Sequence, residues 1–506
     1  MLFNSLTFLV FFLITFLLYY IPKLRKQQVL ILIIASFIFY AWSLPILLLL
    51  LVFSILINFA TSFKVANTQR SSKRNRLGWA FLGVAANLSI LALFKYGSLL
   101  TNLFIHTFNI SDFPEESIIN LIINLPLPIG ISFYTFQGIS LVIDVLREQE
   151  NESEETQSIQ TQKDGGNSQF NSIKNYLFNT AFFISFFPQL IAGPIVKAHD
   201  FFPQIQAKYF RDIPWEIVFR TLVIGYFLKM VVADNLKDYT FWLTFPYYQG
   251  FGTVTIVVLI FGYSMQIFAD FAGYSLIAIG LAASLGYTLP ENFKFPYISR
   301  SLSEFWTRWH ISLSTWLKSY LYIPLGGNRK GKYRTYLNLL IVMTLGGLWH
   351  GAAWSYAVWG IYHGIGLALE RFLGLNEKLK YDNVSISIGQ KFILDSIGVI
   401  SVFSFVSLGW MLFKFPRFEE ALDLMMTIFR NIGGKPGWSN IIPVLIFSLP
   451  VVLYHIPHFP TFQNKYKKLY PKIFFGKIWQ NVALGLMLFG ILINSGNSNA
   501  FIYFQF

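Results

Sequence analysis

Apolar segments long enough, or nearly long enough, to cross a lipid bilayer recur along almost the whole chain, and they constrain its fold more than any other feature. A membrane helix needs roughly 20 predominantly apolar residues. Such runs lie at 3–21, 29–42, 45–63, 78–95, 128–146, 176–193, 217–233, 253–269, 335–350, 352–372, 395–413, 440–455 and 477–495. Because backbone groups inside a bilayer must pair with one another, the pattern predicts an all-α polytopic membrane protein.

Some of these runs are short and interrupted by proline or glycine, as in SFFPQLIAGPIV (185–196) and NLPLPIGISF (124–133). Non-helical backbone is tolerated at membrane depth only where protein or water satisfies its hydrogen bonds. We therefore expect about ten or eleven true crossings, with re-entrant and amphipathic helices in addition. The chain, 1–506, reads as one integral membrane domain.

Composition and charge exclude several classes of function. Hydrophobic residues make up 54% of the chain and charged residues only 13%, against about 25% charged in soluble domains. The net charge of +14 fits loops that face anionic lipid, and nucleic-acid binding is not expected. The sequence contains no cysteine, which rules out disulfides, thiolate metal sites and a cysteine acyl-enzyme.

Basic clusters predict the orientation in the membrane. Lys23, Arg25 and Lys26 follow the first run, and a second basic cluster at 64–76 follows the third. Both loops are expected in the cytoplasm, as is the Gly-rich loop GGNRKGKYR (326–334), whereas the N-terminus and the loop 109–117 are expected outside. The polar, acidic stretch at 148–172 predicts a flexible cytoplasmic insert.

His350 is a titratable ring inside the almost wholly apolar segment TLGGLWHGAAWSYAVWGIYHG (344–364). Ionisable residues at membrane depth are costly and usually face a cavity or a pathway. Burial favours neutral imidazole, which can accept a proton. Small residues surround the ring and allow a substrate or another backbone to come close; they are Gly346, Gly347, Gly351, Ala352 and Ala353. His350 is the candidate general base; the alternative is a histidine hydrogen-bonded inside the bundle.

A second histidine, His310, lies in SEFWTRWHISLSTWLKSYLYIPLGGNRKGK (303–332). Four residues of this stretch have the spacing i, i+4, i+7 and i+11, namely Trp306, His310, Leu313 and Leu317. The spacing predicts an amphipathic helix on which Glu304 and Arg308, four apart, pair. His310 then lines an entrance from the cytoplasmic side, or is structural in a helix lying at the interface.

Two other groups of polar residues need an explanation. Gln266 and Asp270 share one face of an apolar helix, so Asp270 is expected to pair with Arg308 or with another buried cation. Arg329 and Lys330, on the Gly-rich loop, could attract the phosphates of coenzyme A or an acidic carrier, although membrane topology explains them equally well.

A metal site is not expected. His363 follows His350 by thirteen residues, and on one continuous helix the two rings would point to nearly opposite sides. His363 is therefore interpreted as a packing or interfacial histidine.

The segments 263–331 and 345–364 together closely resemble the membrane-bound O-acyltransferase family, in particular its bacterial alginate O-acetyltransferase branch. The stretches 125–147, 186–205 and 228–236 and the terminal FIYFQF agree with it. The resemblance implies a helical bundle around a central tunnel, a multi-pass location in the bacterial inner membrane, and an essential histidine that corresponds to His350. It gives His310 as the second catalytic position. Residues expected near the tunnel or the donor are Trp306, Arg308, Trp309, Trp349, Gly351, Gln266, Asp270, Arg329 and Lys330.

The activity implied by the resemblance is acyl transfer without a bound cofactor. Acetyl-coenzyme A, or an acyl-carrier thioester, enters from the cytoplasm as co-substrate, and His350 deprotonates an acceptor hydroxyl. The acceptor is a cell-envelope or exported polysaccharide, reached directly or through a periplasmic partner. D-Alanyl transfer and peptidoglycan acylation by the same core remain open, as do a non-catalytic acyl transporter and a scaffold that recruits another enzyme.

Overall fold

The computed structural model describes residues 1–42, 44–68, 72–108, 128–155, 173–191, 193–375, 387–461, 477–496 and 501. Within these ranges the regular structure is helical and no β-strand occurs. Helices satisfy their backbone hydrogen bonds internally, which an apolar chain in lipid requires. The predicted all-α class is therefore confirmed.

The chain forms two compact units. Residues Met1–Trp215 and Leu281–Pro290 make the first unit, and Glu216–Gly280 and Glu291–Phe506 make the second. The single domain predicted for 1–506 stays a prediction.

Helices α3, α4 and α6 form much of the first unit's core. Asn58 and Asn87 donate hydrogen bonds to each other between α3 and α4, at 2.8 and 3.2 Å. Gly138 on α6 lies so close that a Cβ there would be 2.4 Å from the Asn58 amide. Such pairs of amides and small residues join helices where water is absent. The unit's helices are α1 (Leu6–Tyr19), α2 (Gln28–Ala41), α3 (Leu47–Asn67), α4 (Lys73–Leu91), α5 (Gly97–Phe108), α6 (Ile131–Glu155), α7 (Ile173–Ser185), α8 (Phe187–Leu190) and α9 (Ala198–Phe201).

Two predicted irregular regions fall in the first unit. After the short helix α8, residues 191 and 193–196 are non-helical and buried, as expected of a Pro/Gly-broken segment whose backbone is covered by protein. Residues 148–155 form the end of α6. The rest of the predicted insert, 156–172, and the loop 109–117 lie outside the described residues, so the flexible insert stays a prediction.

The second unit is built around α12, which is largely buried. Helices α15 and α16 form a tightly packed hairpin, and α17 packs against α16. The unit's helices are α10 (Trp215–Tyr226, whose first residue belongs to the first unit), α11 (Asp234–Thr240), α12 (Thr253–Ser284, whose last turn belongs to the first unit), α13 (Leu302–Arg308), α14 (Ile311–Leu317), α15 (Lys332–His350), α16 (Trp354–Phe372), α17 (Ile388–Lys414), α18 (Phe418–Arg430), α19 (Trp438–His455) and α20 (Lys477–Ile493).

Six helical stretches in the described part of the chain are long and apolar enough to span a membrane. They are Pro22–Ala41, Leu47–Asn67, Lys73–Ile105, Thr253–Ser284, Ile388–Lys414 and Trp438–His458, and two shorter apolar helices, Leu6–Tyr19 and Lys477–Ile493, accompany them. These helices confirm a multi-pass membrane protein. The count of ten or eleven crossings stays a prediction, because several other helices are shorter or more polar.

Candidate functional site

A glycine contact holds the α15–α16 hairpin together. A Cβ on Gly347 would lie 2.2 Å from the Tyr356 carbonyl oxygen, and one on Gly360 would lie 2.3 Å from the Met343 carbonyl oxygen. Larger residues at these positions would push the two backbones apart. The expected close approach of another backbone is therefore confirmed at Gly347, and it fixes α15 against α16.

His350 is the last residue of α15, where the hairpin turns through the extended Gly351. Only 5% of its surface is exposed. Its ring lies 5.1 Å from that of Trp349, 5.3 Å from Trp359 and 5.4 Å from Phe413, measured between ring centroids. Aromatic rings from α15, α16 and α17 therefore hold the imidazole in place.

The prediction of a continuous amphipathic helix through His310 is wrong. The chain breaks between α13 and α14, and His310 adopts the left-handed region with φ of 43°, which costs a non-glycine residue of order 1–3 kcal/mol. Asn292 stabilises the break, because its backbone oxygen accepts from Ile311 N at 2.9 Å and its side-chain oxygen from Ser312 Oγ at 2.6 Å. These tertiary contacts outweigh the helical periodicity.

His310 is fully buried beside His350. The two ring centroids are 6.4 Å apart, and the His310 ring also contacts Phe271 at 4.6 Å and Trp349 at 5.8 Å. Neither of its ring nitrogens has a hydrogen-bond partner among the described residues. Burial lowers the pKa of His310 to about 3, so the imidazole is neutral near pH 7. The placement of His310 at an entrance is wrong.

A cavity of about 620 Å³ opens beside His350 within the second unit. Its buried wall includes His350, Trp359 and Gly346, while Lys318 and Arg371 line it where the surface is exposed. Trp359 and Arg371 are twelve residues apart on α16, which corresponds to about 18 Å along the helix. Its lining residues, all in the described part of the chain, include no carboxylate. The cavity can therefore take a long, narrow ligand with an anionic end.

Of the other predicted tunnel residues, one lines the cavity and the others lie outside its lining. Trp306 lines the cavity. Trp309 is buried and packs against Trp410 at 4.9 Å, while the Trp349 ring contacts both histidines. Arg308 pairs with Glu304 at 2.8 Å, as predicted. Arg329 and Lys330 are exposed on the Gly-rich loop and do not line the cavity, although the adjacent Asn328 does.

Asp270 belongs to a buried ionic cluster away from the cavity lining. Its carboxylate lies 2.8 Å from Lys229 Nζ, which also lies 2.7 Å from Asp234. The predicted pairing with a buried cation is confirmed, but the cation is Lys229 and not Arg308. Gln266 accepts a hydrogen bond from Thr240 at 2.5 Å. Both predicted residues therefore join helices and do not line the cavity.

His363 does not share a helix with His350, because α15 ends at His350 and α16 begins at Trp354. The Trp359 ring contacts both histidines, at 5.3 Å from His350 and 4.8 Å from His363. His363 is fully buried and does not line the cavity. Among the described residues no group of three metal-ligating side chains occurs.

Comparison with known proteins identifies the family. The profile of the membrane-bound O-acyltransferase (MBOAT) family matches residues 117–377. The probable alginate O-acetylase AlgI of Pseudomonas putida is 37% identical over 437 residues, which cover 85% of this chain and 80% of the relative. The chain belongs to the membrane-bound O-acyltransferase family. It is therefore a membrane-embedded O-acyltransferase.

Other MBOAT proteins similar to this chain carry different names. The peptidoglycan O-acetyltransferase of Helicobacter pylori is 34% identical over 462 residues, covering 87% of this chain and 81% of the relative. The teichoic acid D-alanyltransferase of Bacillus subtilis is 26% identical over 310 residues, covering 59% and 71%. The family match contains both His310 and His350, together with every residue that lines the cavity.

Several residues of the MBOAT site were missed by sequence reasoning. Lys318 and Arg371 were not singled out in the sequence, and only the fold brings them to one cavity. Glu370 accepts from the backbone N–H groups of Leu302 and Ser303, at 2.5 and 3.1 Å, and so anchors α13 to α16. A glutamate inside an apolar helix was the available signal for Glu370.

Proposed function

We propose that this enzyme transfers an acetyl group from a cytoplasmic thioester, acetyl-coenzyme A, to hydroxyl groups of a cell-envelope or exported polysaccharide of the alginate type. Transfer occurs across the inner membrane, directly or through a periplasmic partner. The observation that carries the proposal is the cavity between exposed cations and the buried His350. The names of similar proteins, which include an alginate O-acetylase and a peptidoglycan O-acetyltransferase, support acetyl transfer to a glycan.

The donor fits the cavity by shape and by charge. The acyl-pantetheine arm is long and thin, and a path of about 18 Å along α16 separates Arg371 from Trp359. Arg371 and Lys318 would bind phosphate groups at the exposed end, because guanidinium and ammonium groups form charge-assisted hydrogen bonds with phosphate. The acyl group would then lie next to His350.

His350 is proposed as the general base. It takes the proton of the acceptor hydroxyl while the hydroxyl oxygen bonds to the thioester carbonyl carbon. The carbon–sulfur bond then breaks, and the imidazolium returns the proton to the leaving thiolate. The products are an ester and a free thiol, so the reaction needs no further co-reactant. His310, whose ring centroid lies 6.4 Å from that of His350, would position the His350 ring.

Replacing His350 tests the proposal. Membranes that contain the wild-type enzyme, His350→Asn or His363→Asn are incubated with labelled acetyl-coenzyme A and the polysaccharide, and ester-bound label and free thiol are measured. A general base contributes about 10²–10⁴-fold, so His350→Asn should lose at least about 100-fold. His363→Asn is the matched control, because that histidine is equally buried, contacts the same tryptophan and does not line the cavity.

The alternatives predict different results. A transporter or scaffold would retain full polysaccharide acetylation with His350→Asn, provided that the protein reaches the membrane in normal amount. A D-alanyltransferase would transfer label from a D-alanyl carrier thioester and not from acetyl-coenzyme A. Either result would overturn acetyl transfer by His350.

A further inference from the structure

An exposed basic patch forms where two distant segments of the first unit meet. Residues 20–28 and 206–215 contribute five basic side chains and one acidic side chain, Asp212. The basic residues, which define the patch, are Lys23, Arg25, Lys26, Lys208 and Arg211. All except the half-buried Lys208 are exposed. Repulsion among these cations opposes their convergence, so the fold must hold the two segments together by other contacts.

Gln28 holds the two segments in a fixed register. Its side chain is buried and donates to the carbonyl oxygens of Tyr19, at 3.1 Å, and Lys208, at 3.0 Å. Its side-chain oxygen accepts from the backbone N–H of Lys208 at 2.9 Å. A buried amide with three partners rigidifies its surroundings. The basic patch is therefore a built surface and not a chance meeting of two loops.

The ring of Tyr209 contacts the guanidinium groups of two arginines. The Cζ atom of Arg25 lies 4.4 Å above the Tyr209 ring, and that of Arg211 lies 5.5 Å from the same ring. Cation–π contacts of this kind position a guanidinium while leaving its N–H groups available to an anion. Two exposed arginines therefore contact a single ring, and Arg211 Nε also lies 3.6 Å from the Asp212 carboxylate.

Exposed apolar rings continue the surface away from the cations. Phe210 and Trp215 are each about half exposed, with centroids 5.6 Å apart, and both contact Phe16 of α1 at 6.2 Å. The candidate membrane span that contains α2 begins at Pro22, within the patch. Tyrosine, tryptophan and basic residues at the end of a span lie at the level of the lipid headgroups.

We propose that the basic patch is a binding site for an anionic phospholipid. The phosphate binds Arg25 and Arg211, and the acyl chains lie along Phe16, Phe210 and Trp215. Charge complementarity and the adjoining membrane span favour this ligand over an acidic soluble protein, which would leave the apolar rings uncovered. Basic clusters at the cytoplasmic surface commonly bind anionic headgroups.

Lipid binding to the full-length protein in mild detergent tests the proposal. Dioleoyl phosphatidylglycerol and dioleoyl phosphatidylcholine are titrated separately, and bound lipid is counted by native mass spectrometry with the thermal unfolding midpoint as a second readout. The double variant Arg25→Ala/Arg211→Ala should bind phosphatidylglycerol about 25-fold more weakly, at about fivefold for each cation removed. Arg329→Ala/Lys330→Ala is the matched control, with the same loss of charge on an exposed loop, and should bind like wild type.

A second variant keeps the test decisive if the arginine variant does not fold. Lys23→Ala/Lys26→Ala changes only exposed side chains of the basic patch and should also weaken phosphatidylglycerol binding. Any of three results would overturn the proposal. The first is that phosphatidylcholine binds as tightly as phosphatidylglycerol does, the second that the loop control loses as much binding as the arginine variant, and the third that both patch variants bind phosphatidylglycerol like wild type. Stabilisation by inorganic phosphate alone, at the same concentration, would show a phosphate site that needs no lipid and would overturn it as well. Selective capture of an acidic protein without any effect of lipid would have the same consequence.

Discussion

Gly346 and Gly347 are neighbours on α15, yet an added methyl group should have opposite effects at the two positions. At Gly347 a Cβ would lie 2.2 Å from the Tyr356 carbonyl oxygen, so the two backbones would have to separate by about 1 Å to restore van der Waals contact. At Gly346 the nearest atom is the flexible end of Leu317, at 3.1 Å, and the position faces the cavity.

The two alanine substitutions should change the free energy of unfolding in opposite directions. Gly347→Ala gains about 1 kcal/mol of helix propensity, but overpacking costs about 1–3 kcal/mol and more where backbone must move. The net effect is destabilisation, and the apparent melting temperature should fall by several degrees. Gly346→Ala keeps the propensity gain and displaces only a side-chain end, so its melting temperature should rise.

Thermal unfolding of both purified variants in the same detergent measures the difference. Transferase activity gives a second readout, because Gly346→Leu should fold and yet fill the cavity, which abolishes turnover. Equal melting temperatures for the two alanine variants would refute the account of the hairpin contact. Full activity of Gly346→Leu would refute the assignment of the cavity to the donor.

Three further predictions concern charged residues. Glu370→Gln should lower the melting temperature, because two backbone N–H groups lose a charged acceptor, at about 1.5–3 kcal/mol for a hydrogen bond to a charged group; a melting temperature equal to wild type would contradict this. Lys318→Ala and Arg371→Ala should each raise KM for acetyl-coenzyme A about fivefold with kcat unchanged, and the effect should shrink in high salt; an unchanged KM would count against phosphate binding there. Lys229→Met should lower the free energy of unfolding by about 3–5 kcal/mol, because it leaves two buried carboxylates without their cation. Asp270→Asn leaves the ion pair between Lys229 and Asp234 intact and should lower the free energy of unfolding by less. A larger loss for Asp270→Asn than for Lys229→Met would contradict the cluster's geometry.

Long apolar segments allowed the helical fold to be predicted from sequence. The run 253–269 lies within α12, because a helix is the structure in which an isolated apolar segment satisfies its own backbone hydrogen bonds inside a bilayer. The residues at which the helices begin and end were harder to predict from the sequence. The run 128–146 begins before α6 and ends well inside it, since the polar residues that follow continue the helix although they add nothing to the apolar signal.

The two histidines could be predicted as site residues, but their relation could not. His310 looked like a member of a helical face, and no proline or glycine marks the break at Trp309 and His310. The break depends on Asn292, which is distant in sequence and whose partners only the fold reveals. Periodicity describes what a segment prefers when isolated, and here a buried hydrogen-bond network overrides that preference.

Buried carboxylates show a different limit of sequence reasoning. A carboxylate at membrane depth needs a partner, but the rule does not say whether the partner is a cation or a helix end. Asp270 obtains Lys229, while Glu370 obtains the first two N–H groups of α13. Because α13 has only seven residues, too few for a stable isolated helix, it needs tertiary contacts, and the Glu370 carboxylate supplies two of them. Trp306, on α13, lines the cavity opened along α16, so the Glu370 carboxylate links two helices that both line the cavity.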